Sequence, residues 1–225
     1  MTRILHLDAS ARPHSSSEGA FGSHTRRLSA RFVQHWSALH PQDTVIYRDI
    51  GRHPPAPVSG EWIHAAFTPP GQRLPWMHEI LGESDRLIGE LLEADLIVAG
   101  VPMYNFNVPA QFKAWIDNIV RVGVTFGFDR KRDGEPYWPM LAESGKTAVV
   151  LSSRGDFGYD KGGRNAHMNH VEGSIASALS YIGITDLHSV AVEYDEFSDE
   201  RLAASIASAE AKVEALAGQL SSCRA

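Results

Sequence analysis

Leu96-Ile97-Val98-Ala99-Gly100 runs straight into Val101-Pro102-Met103-Tyr104-Asn105-Phe106-Asn107-Val108-Pro109, and the reading of this junction decides the fold. An unbroken apolar run of strand length fits a strand covered on both faces, which is the pattern of parallel sheets. The run opens into a Pro-bounded loop and then a helix over 109 to 120. Open α/β sheets hold ligands beyond the carboxyl ends of their strands. A loop at that place can wrap a heteroaromatic ring with its N–H and C=O groups while Tyr104 and Phe106 shield the ring faces. The same aromatics can equally be core residues capping the next helix, and two further loops decide between these readings.

Working outward, strands are predicted at Arg3 to Leu7, Thr44 to Tyr47, Asp95 to Ala99, Thr147 to Ser152 and His188 to Val192. Helical stripes lie between them. Leu28, Phe32, Val33, Trp36 and Leu39 repeat at helical spacing behind the N-cap Ser23, predicting a helix over 25 to 39. Similar stripes occupy 77 to 93 (Leu81, Leu87, Ile88, Leu91, Leu92), the segment of Phe112, Trp115, Ile116 and Ile119, that of Ile175, Leu179 and Ile182, and a last one from Leu202 to Leu216. Strands alternating with helices predict a single doubly wound α/β domain over residues 1–225. Its five-stranded parallel sheet, of order 2-1-3-4-5, is expected to form the middle of a three-layer sandwich. Two stretches exceed what this scheme needs. Residues 51 to 76, with Trp62, Phe67 and Trp76, and residues 123 to 142, with Phe126, Phe128, Tyr137 and Trp138, are expected to be long aromatic loops, serving as lids or as a dimer contact.

Composition excludes several classes. A hydrophobic share of 43% rules out a disordered chain, and a net charge of −6 gives no footprint for nucleic acid. The one cysteine, Cys223, permits no intramolecular disulfide and fits a reducing compartment. The first residues form a strand pattern rather than a charged lead before a long apolar core, and no apolar run approaches bilayer length. A soluble cytoplasmic protein that does not engage the membrane is expected.

The loop after the first strand, Asp8-Ala9-Ser10-Ala11-Arg12-Pro13-His14-Ser15-Ser16-Ser17, leads to Gly22-Ser23-His24-Thr25 at a helix start. Hydroxyls and free N–H groups at the positive end of a helix make a phosphate site, with Ser10, Ser23 and Thr25 as the hydroxyl donors. Read alone, this loop is more simply a cap. No Gly-x-Gly-x-x-Gly exists, and Ser144-Gly145-Lys146-Thr147 lacks the earlier glycine of a phosphate loop. The third loop, Ser152-Ser153-Arg154-Gly155-Asp156, offers backbone donors at a glycine beside a cationic side chain, or else an ordinary strand-to-helix turn. In the order 2-1-3-4-5 the three parent strands are neighbours, so the three loops converge on one crevice. A ligand with one phosphate and one flat polar ring, a mononucleotide such as FMN, fits that convergence.

The sequence also resembles the FMN-dependent NADH azoreductases, described too as NADH:quinone oxidoreductases, which have a flavodoxin-like fold. The resemblance covers nearly the whole chain and is strongest in Val101 to Pro109, Lys113-Ala-Trp-Ile-Asp117, Gly123-Val-Thr-Phe126, Leu151-Ser-Ser-Arg-Gly155 and Tyr181-Ile-Gly-Ile-Thr-Asp186. It implies FMN contacts from Ser10, from Ser23, His24 and Thr25, from Met103, Tyr104, Asn105 and Phe106, and from Ser153, Arg154, Gly155 and Asp156. It further implies a homodimer with its flavin sites at the interface, where Phe128 and Tyr181 stand at positions that hold aromatics near the flavin in relatives. Three departures stand out: a longer first loop with the extra Ser15-Ser16-Ser17, Asp156 where relatives often have a second glycine, and Phe128 where tyrosine is common. An inward Asp156 carboxylate would oppose charge on the reduced flavin and lower its potential.

The implied reaction is ping-pong hydride transfer from NADH or NADPH through FMN to a quinone or an aromatic azo compound, with no side-chain nucleophile. The alternative is an FMN electron carrier or redox-sensing binding protein without turnover of its own. His167 and His170, three apart in an expected helix, lack a third ligand for a metal, and no Gly-x-Ser-x-Gly elbow supports hydrolysis.

Overall fold

In β1 (Arg3–Asp8), Ile4 joins one apolar cluster while Leu5 and Leu7 join another, so the strand's period of two is spent on two different cores. The computed structural model describes residues 1–14 and 22–223. Ser15, Ser16 and Ser17 lie outside the described residues. β2 (Thr44–Asp49), β3 (Leu96–Pro102), β6 (Thr147–Ser153) and β7 (Asp186–Val192) complete a five-stranded sheet with β1, in the order β2-β1-β3-β6-β7, every pair parallel. This is the expected arrangement, since β6 and β7 are the fourth and fifth strands of that sheet. All seven residues of β3 and of β6 are buried, as expected for central strands covered on both faces.

The helices divide between the two faces. Leu5, Leu7, Ile97, Val101 and Val150 pack with residues of α3 (Pro75–Glu93), α4 (Ala110–Ile119) and α5 (Val171–Ile182). On the other side Ile4, Val98, Leu151 and Val192 meet α1 (His24–Leu39) and α6 (Glu200–Ser222), where Phe32 and Trp36 are wholly buried. α5 stops at Gly183, whose φ of 107° only glycine adopts easily. A Cβ there would also meet the Ala142 backbone at 2.3 Å.

Both stretches expected as long loops contain structure. Residues 51 to 76 hold α2 (Gly60–Phe67), capped by the Ser59 hydroxyl, and Trp62 packs there with Ala65, Ala66, Met77 and Leu81 as a small satellite core. Trp62 is therefore not part of a lid, whereas Phe67 remains 62% exposed. Residues 123 to 142 hold a hairpin of β4 (Phe126–Phe128) and β5 (Tyr137–Pro139). Leu39 and Leu92, expected on buried stripes, are exposed: Leu39 is the last residue of its helix, and Leu92 lies off the face that buries Leu87, Ile88 and Leu91. Among the described residues no helix is long and apolar enough to cross a membrane.

Parallel pairing brings the strand carboxyl ends to one rim. Asp8 stands beside Gly100, Pro102 beside Ser153, and Ser153 beside Val192. The loops that leave these residues start as neighbours.

Candidate functional site

Four loops leave that rim, and they are bonded to one another. Met103 N–H donates to Ser153 O at 2.9 Å, Ala11 N–H to the Tyr104 hydroxyl at 3.2 Å, and Arg154 N–H to Val192 O at 2.9 Å. The loop after β7 is laid along the β6 turn by Tyr194 N–H to Asp156 O, Asp195 N–H to Arg154 O and Glu196 N–H to Gly155 O. They enclose two adjoining crevices of about 280 and 370 Å³ that share Met103, Asn105, Gly155 and Glu196. Each is near the lower end of the range for small-molecule pockets, roughly 300–1,000 Å³, and as one cleft they fall within it.

The first crevice is lined by hydrogen-bond donors and by the Asp195 and Glu196 carboxylates alike. Ser10, Ser23 and His24 line it, with Arg12 beside them. Ser23 caps α1 by accepting the Arg26 N–H at 3.2 Å, which leaves the N–H groups of His24 and Thr25 without a protein acceptor among the described residues. Unpaired N–H groups at a helix N-terminus attract phosphate. Thr25 is wholly buried and its hydroxyl pairs with that of Ser23 at 3.0 Å, so its side chain steadies Ser23 rather than lining the crevice.

The second crevice is lined by Phe106, Asp156, Tyr159 and Met168. Tyr104 and Asn107 exchange backbone hydrogen bonds across a two-residue turn in which Asn105 and Phe106 have φ of 47° and 71°. Asn tolerates this region, but Phe there costs about 1–2 kcal/mol. Phe106 is held by its carbonyl, which accepts from His170 N–H at 3.0 Å. The strained turn leaves the N–H groups of Asn105 and Phe106 unpaired among the described residues, as are those of Gly155 and Asp156 opposite. Donors on two sides of a narrow cleft suit the polar edge of a flat ring.

Two expected contributors are occupied elsewhere. Arg154 is 2% exposed, its guanidinium enclosed by Asp160 at 2.7 Å, Glu172 at 2.6 Å and Glu193 at 3.1 Å, and its backbone is bonded to Val192 and Asp195, so it lines neither crevice. Asp156 lines the second crevice, but its carboxylate pairs with Arg164 and accepts from the Asn165 amide at 3.1 Å. Burial works to raise its pKa, but the Phe157 N–H, Arg164 and Asn165 together hold it below the usual carboxylate range.

Sequence reasoning passed over Asp195 and Glu196. Both line the first crevice, from the loop after the fifth sheet strand, which the strand-end rule applied to three other loops would have flagged. Asp195 accepts from His24 Nε2 at 2.9 Å and from Arg12 at 3.3 Å. The His24 hydrogen bond, reinforced by Arg12 against the effect of burial, holds the Asp195 carboxyl below the usual range. His24 Nδ1 meets Arg27, so both ring nitrogens are engaged and His24 faces an anion through its backbone.

Phe128 and Tyr181 lie outside both crevices, in an aromatic cluster where Phe128 stacks on Tyr137 at 4.6 Å and Tyr181 meets Phe126 at 5.0 Å. Tyr181 instead borders a groove of about 1130 Å³ between α4 and α5, apolar at Val108, Ile116, Val120 and Ala178, which touches the site at Tyr104 and Asn105. His167 and His170 do not share a helix: His167 lies in a 3-10 turn and His170 precedes α5. Among the described residues no cluster of three or more metal-ligating side chains forms.

A family model described as the flavodoxin-like fold matches residues 2–216. An FMN-dependent NADH:quinone oxidoreductase 2 from Idiomarina loihiensis is 40% identical over 221 residues, 98% of this chain and 91% of the relative. An FMN-dependent NAD(P)H:quinone oxidoreductase 1 from Pseudomonas aeruginosa is 41% identical over 218 residues, 96% and 99% of the two chains. Among solved structures, an FMN-dependent NADH-azoreductase from Bacillus anthracis in complex with FMN superposes with a TM-score of 0.82 at 17% identity, covering 98% of this chain and 100% of that one, and so supports the fold. The chain belongs to the flavodoxin-like fold family, among the relatives named FMN-dependent NADH:quinone oxidoreductase.

Proposed function

We propose that the chain is an FMN-dependent oxidoreductase that passes hydride from NADH or NADPH through FMN to quinones and aromatic azo compounds in a ping-pong cycle. The observation that carries this reading is the cleft itself, where unpaired N–H groups at an anion-attracting helix end adjoin a strained, donor-lined slot. FMN fits both halves. The N–H groups of His24 and Thr25, the hydroxyls of Ser10 and Ser23 and the Arg12 guanidinium would hold its phosphate. The Met103–Phe106 turn and the backbone of Ser153, Gly155 and Asp156 would edge its ring. Bound FMN supplies reversible two-electron exchange, chemistry that belongs to the cofactor. The chain supplies orientation and desolvation, and no side chain has to act as nucleophile.

Donor and acceptor, both flat, would take turns at the ring. The reading includes a three-layer helix–sheet–helix scaffold and a homodimer, for which the apolar groove along α4 and α5, adjoining the site at Tyr104 and Asn105, is the supporting feature. It also puts the enzyme in the cytoplasm, where its nicotinamide donor is supplied.

The test is a visible spectrum of the purified chain, followed by anaerobic NADH and then a quinone or an azo dye. Flavin absorbance that bleaches and returns supports the proposal. A chain that neither carries nor takes up FMN defeats it, and reduction by NADH without turnover of a soluble quinone would leave an electron carrier instead.

A further inference from the structure

We infer that Arg26, a residue that does not line the crevice, is the positioning residue of the phosphate end and makes the site prefer a phosphorylated flavin; this rests on the FMN reading above. Arg26 is 3% exposed, on the first turn of α1 directly after the two unpaired N–H groups. Its own N–H is the one capped by Ser23. Its guanidinium grips Asp49 at the end of β2 with both terminal nitrogens, at 2.7 and 2.6 Å, and donates a further bond to Ser10 O at 2.6 Å. One side chain thus ties together the helix end, the serine loop and the neighbouring strand.

The rest of the cluster fixes that side chain. Asp8 lies 3.6 Å from the guanidinium and accepts from Ser29 at 2.7 Å and Tyr47 at 3.0 Å, while the Tyr47 hydroxyl also accepts from Arg26 at 3.1 Å. Gly51 completes the seat, because a Cβ at that position would stand 2.1 Å from Ser10 O and 2.8 Å from the guanidinium. As a source of stability alone such a cluster is a poor device, since apolar residues of similar volume often do as well or better. What it offers is direction. A planar fork holding a carboxylate on one side and a carbonyl on the other admits little rotation, which a lysine ammonium does not reproduce.

The test compares two ligands that differ only in the phosphate. The full-length chain, stripped of flavin, is titrated with FMN and with riboflavin by fluorescence quenching, for the parent chain and for Arg26→Lys, Asp49→Asn and Gly51→Ala. Asp49→Asn keeps the site sterically intact, and Gly51→Ala crowds the contact between Ser10 O and the guanidinium without changing charge, so the test survives if Arg26→Lys does not fold. The FMN Kd is expected to rise about tenfold in the folded variants, the weight of one charge-assisted hydrogen bond, with riboflavin unchanged within about twofold. Equal loss for both ligands, or no loss for either, overturns the inference. A parent chain that binds riboflavin as tightly as FMN would overturn the phosphate reading itself, which is a separate failure.

Discussion

Replacing Arg154 by methionine separates a structural cation from a ligand-binding one. Its three carboxylates do not count equally. The Asp160 side chain is 83% exposed, so its pair contributes about 0–1 kcal/mol. Glu193 keeps the N–H groups of Gly158 and Tyr159, each at 3.0 Å. Glu172 is 17% exposed and its Oε2 is already unpartnered, so losing Arg154 strands a largely buried charge. Stranding a buried carboxylate costs about 3–5 kcal/mol, and residual exposure puts this case near 3 kcal/mol. For a chain of this size that lowers Tm by about 6–12 °C. Thermal melts by circular dichroism at neutral pH read this directly, and adding Glu172→Gln to Arg154→Met should restore most of the loss. If Arg154→Met melts with the parent chain but loses FMN affinity, the guanidinium reaches the ligand and the reasoning fails.

The Asp195 carboxyl is held below its ordinary 3.8, so its contribution to stability is full above that pH and is lost as pH falls toward the lowered folded value. Melts of Asp195→Asn should accordingly show a deficit at pH 7 that closes in strong acid, and a deficit independent of pH would contradict the pairing with His24 and Arg12. Since Arg164 offsets Asp156 beside the second crevice, Arg164→Gln should lower the bound flavin's midpoint potential and Asp156→Gly should raise it. Spectroelectrochemical titrations giving one potential for all three chains would remove both residues from the ring's surroundings. If the groove along α4 and α5 closes a homodimer, Ala178→Arg should convert a dimer into a 24.7 kDa monomer in sedimentation velocity, and a parent chain that already sediments as a monomer would end that reading.

The buried strands were legible because their signal is local: seven consecutive apolar or small residues in β3 have no other economical placement. α2 was not legible. Its burial depends on Met77 and Leu81 of α3 arriving under Trp62, and the prolines ahead of it read as loop. β4 and β5 are three residues each, too short for a periodicity, and they exist because they pair. Gly127 lies so close under the Trp138 ring that a Cβ would come within 2.0 Å, a relation no spacing reveals. At the site, the turn around Phe106, Ser10 of the first loop and the N-cap Ser23 followed from strand ends and helix ends. Arg154 did not, because the carboxylates that claim it come from positions 160, 172 and 193, two in separate loops and one in α5. Arg26 escaped notice for the same reason: its partners are Asp8 of β1, Tyr47 and Asp49 of β2 and Ser10 of the first loop.

Those misreadings share a cause that bears on function. The residues easiest to pick out as ligands, a cation beside a glycine or a hydroxyl at a helix start, are here partly spent on bracing. Arg154, Thr25 and the His24 ring each bond to protein, and among the described residues the donors left unpaired around the cleft include the backbone N–H groups of His24, Thr25, Gly155 and Asp156. Backbone donors held by buried side chains cannot rotate away, so little ordering cost falls on the binding step. Damage to a brace should therefore appear first as weakened cofactor affinity, and turnover by fully loaded protein should survive longer than retention of the flavin.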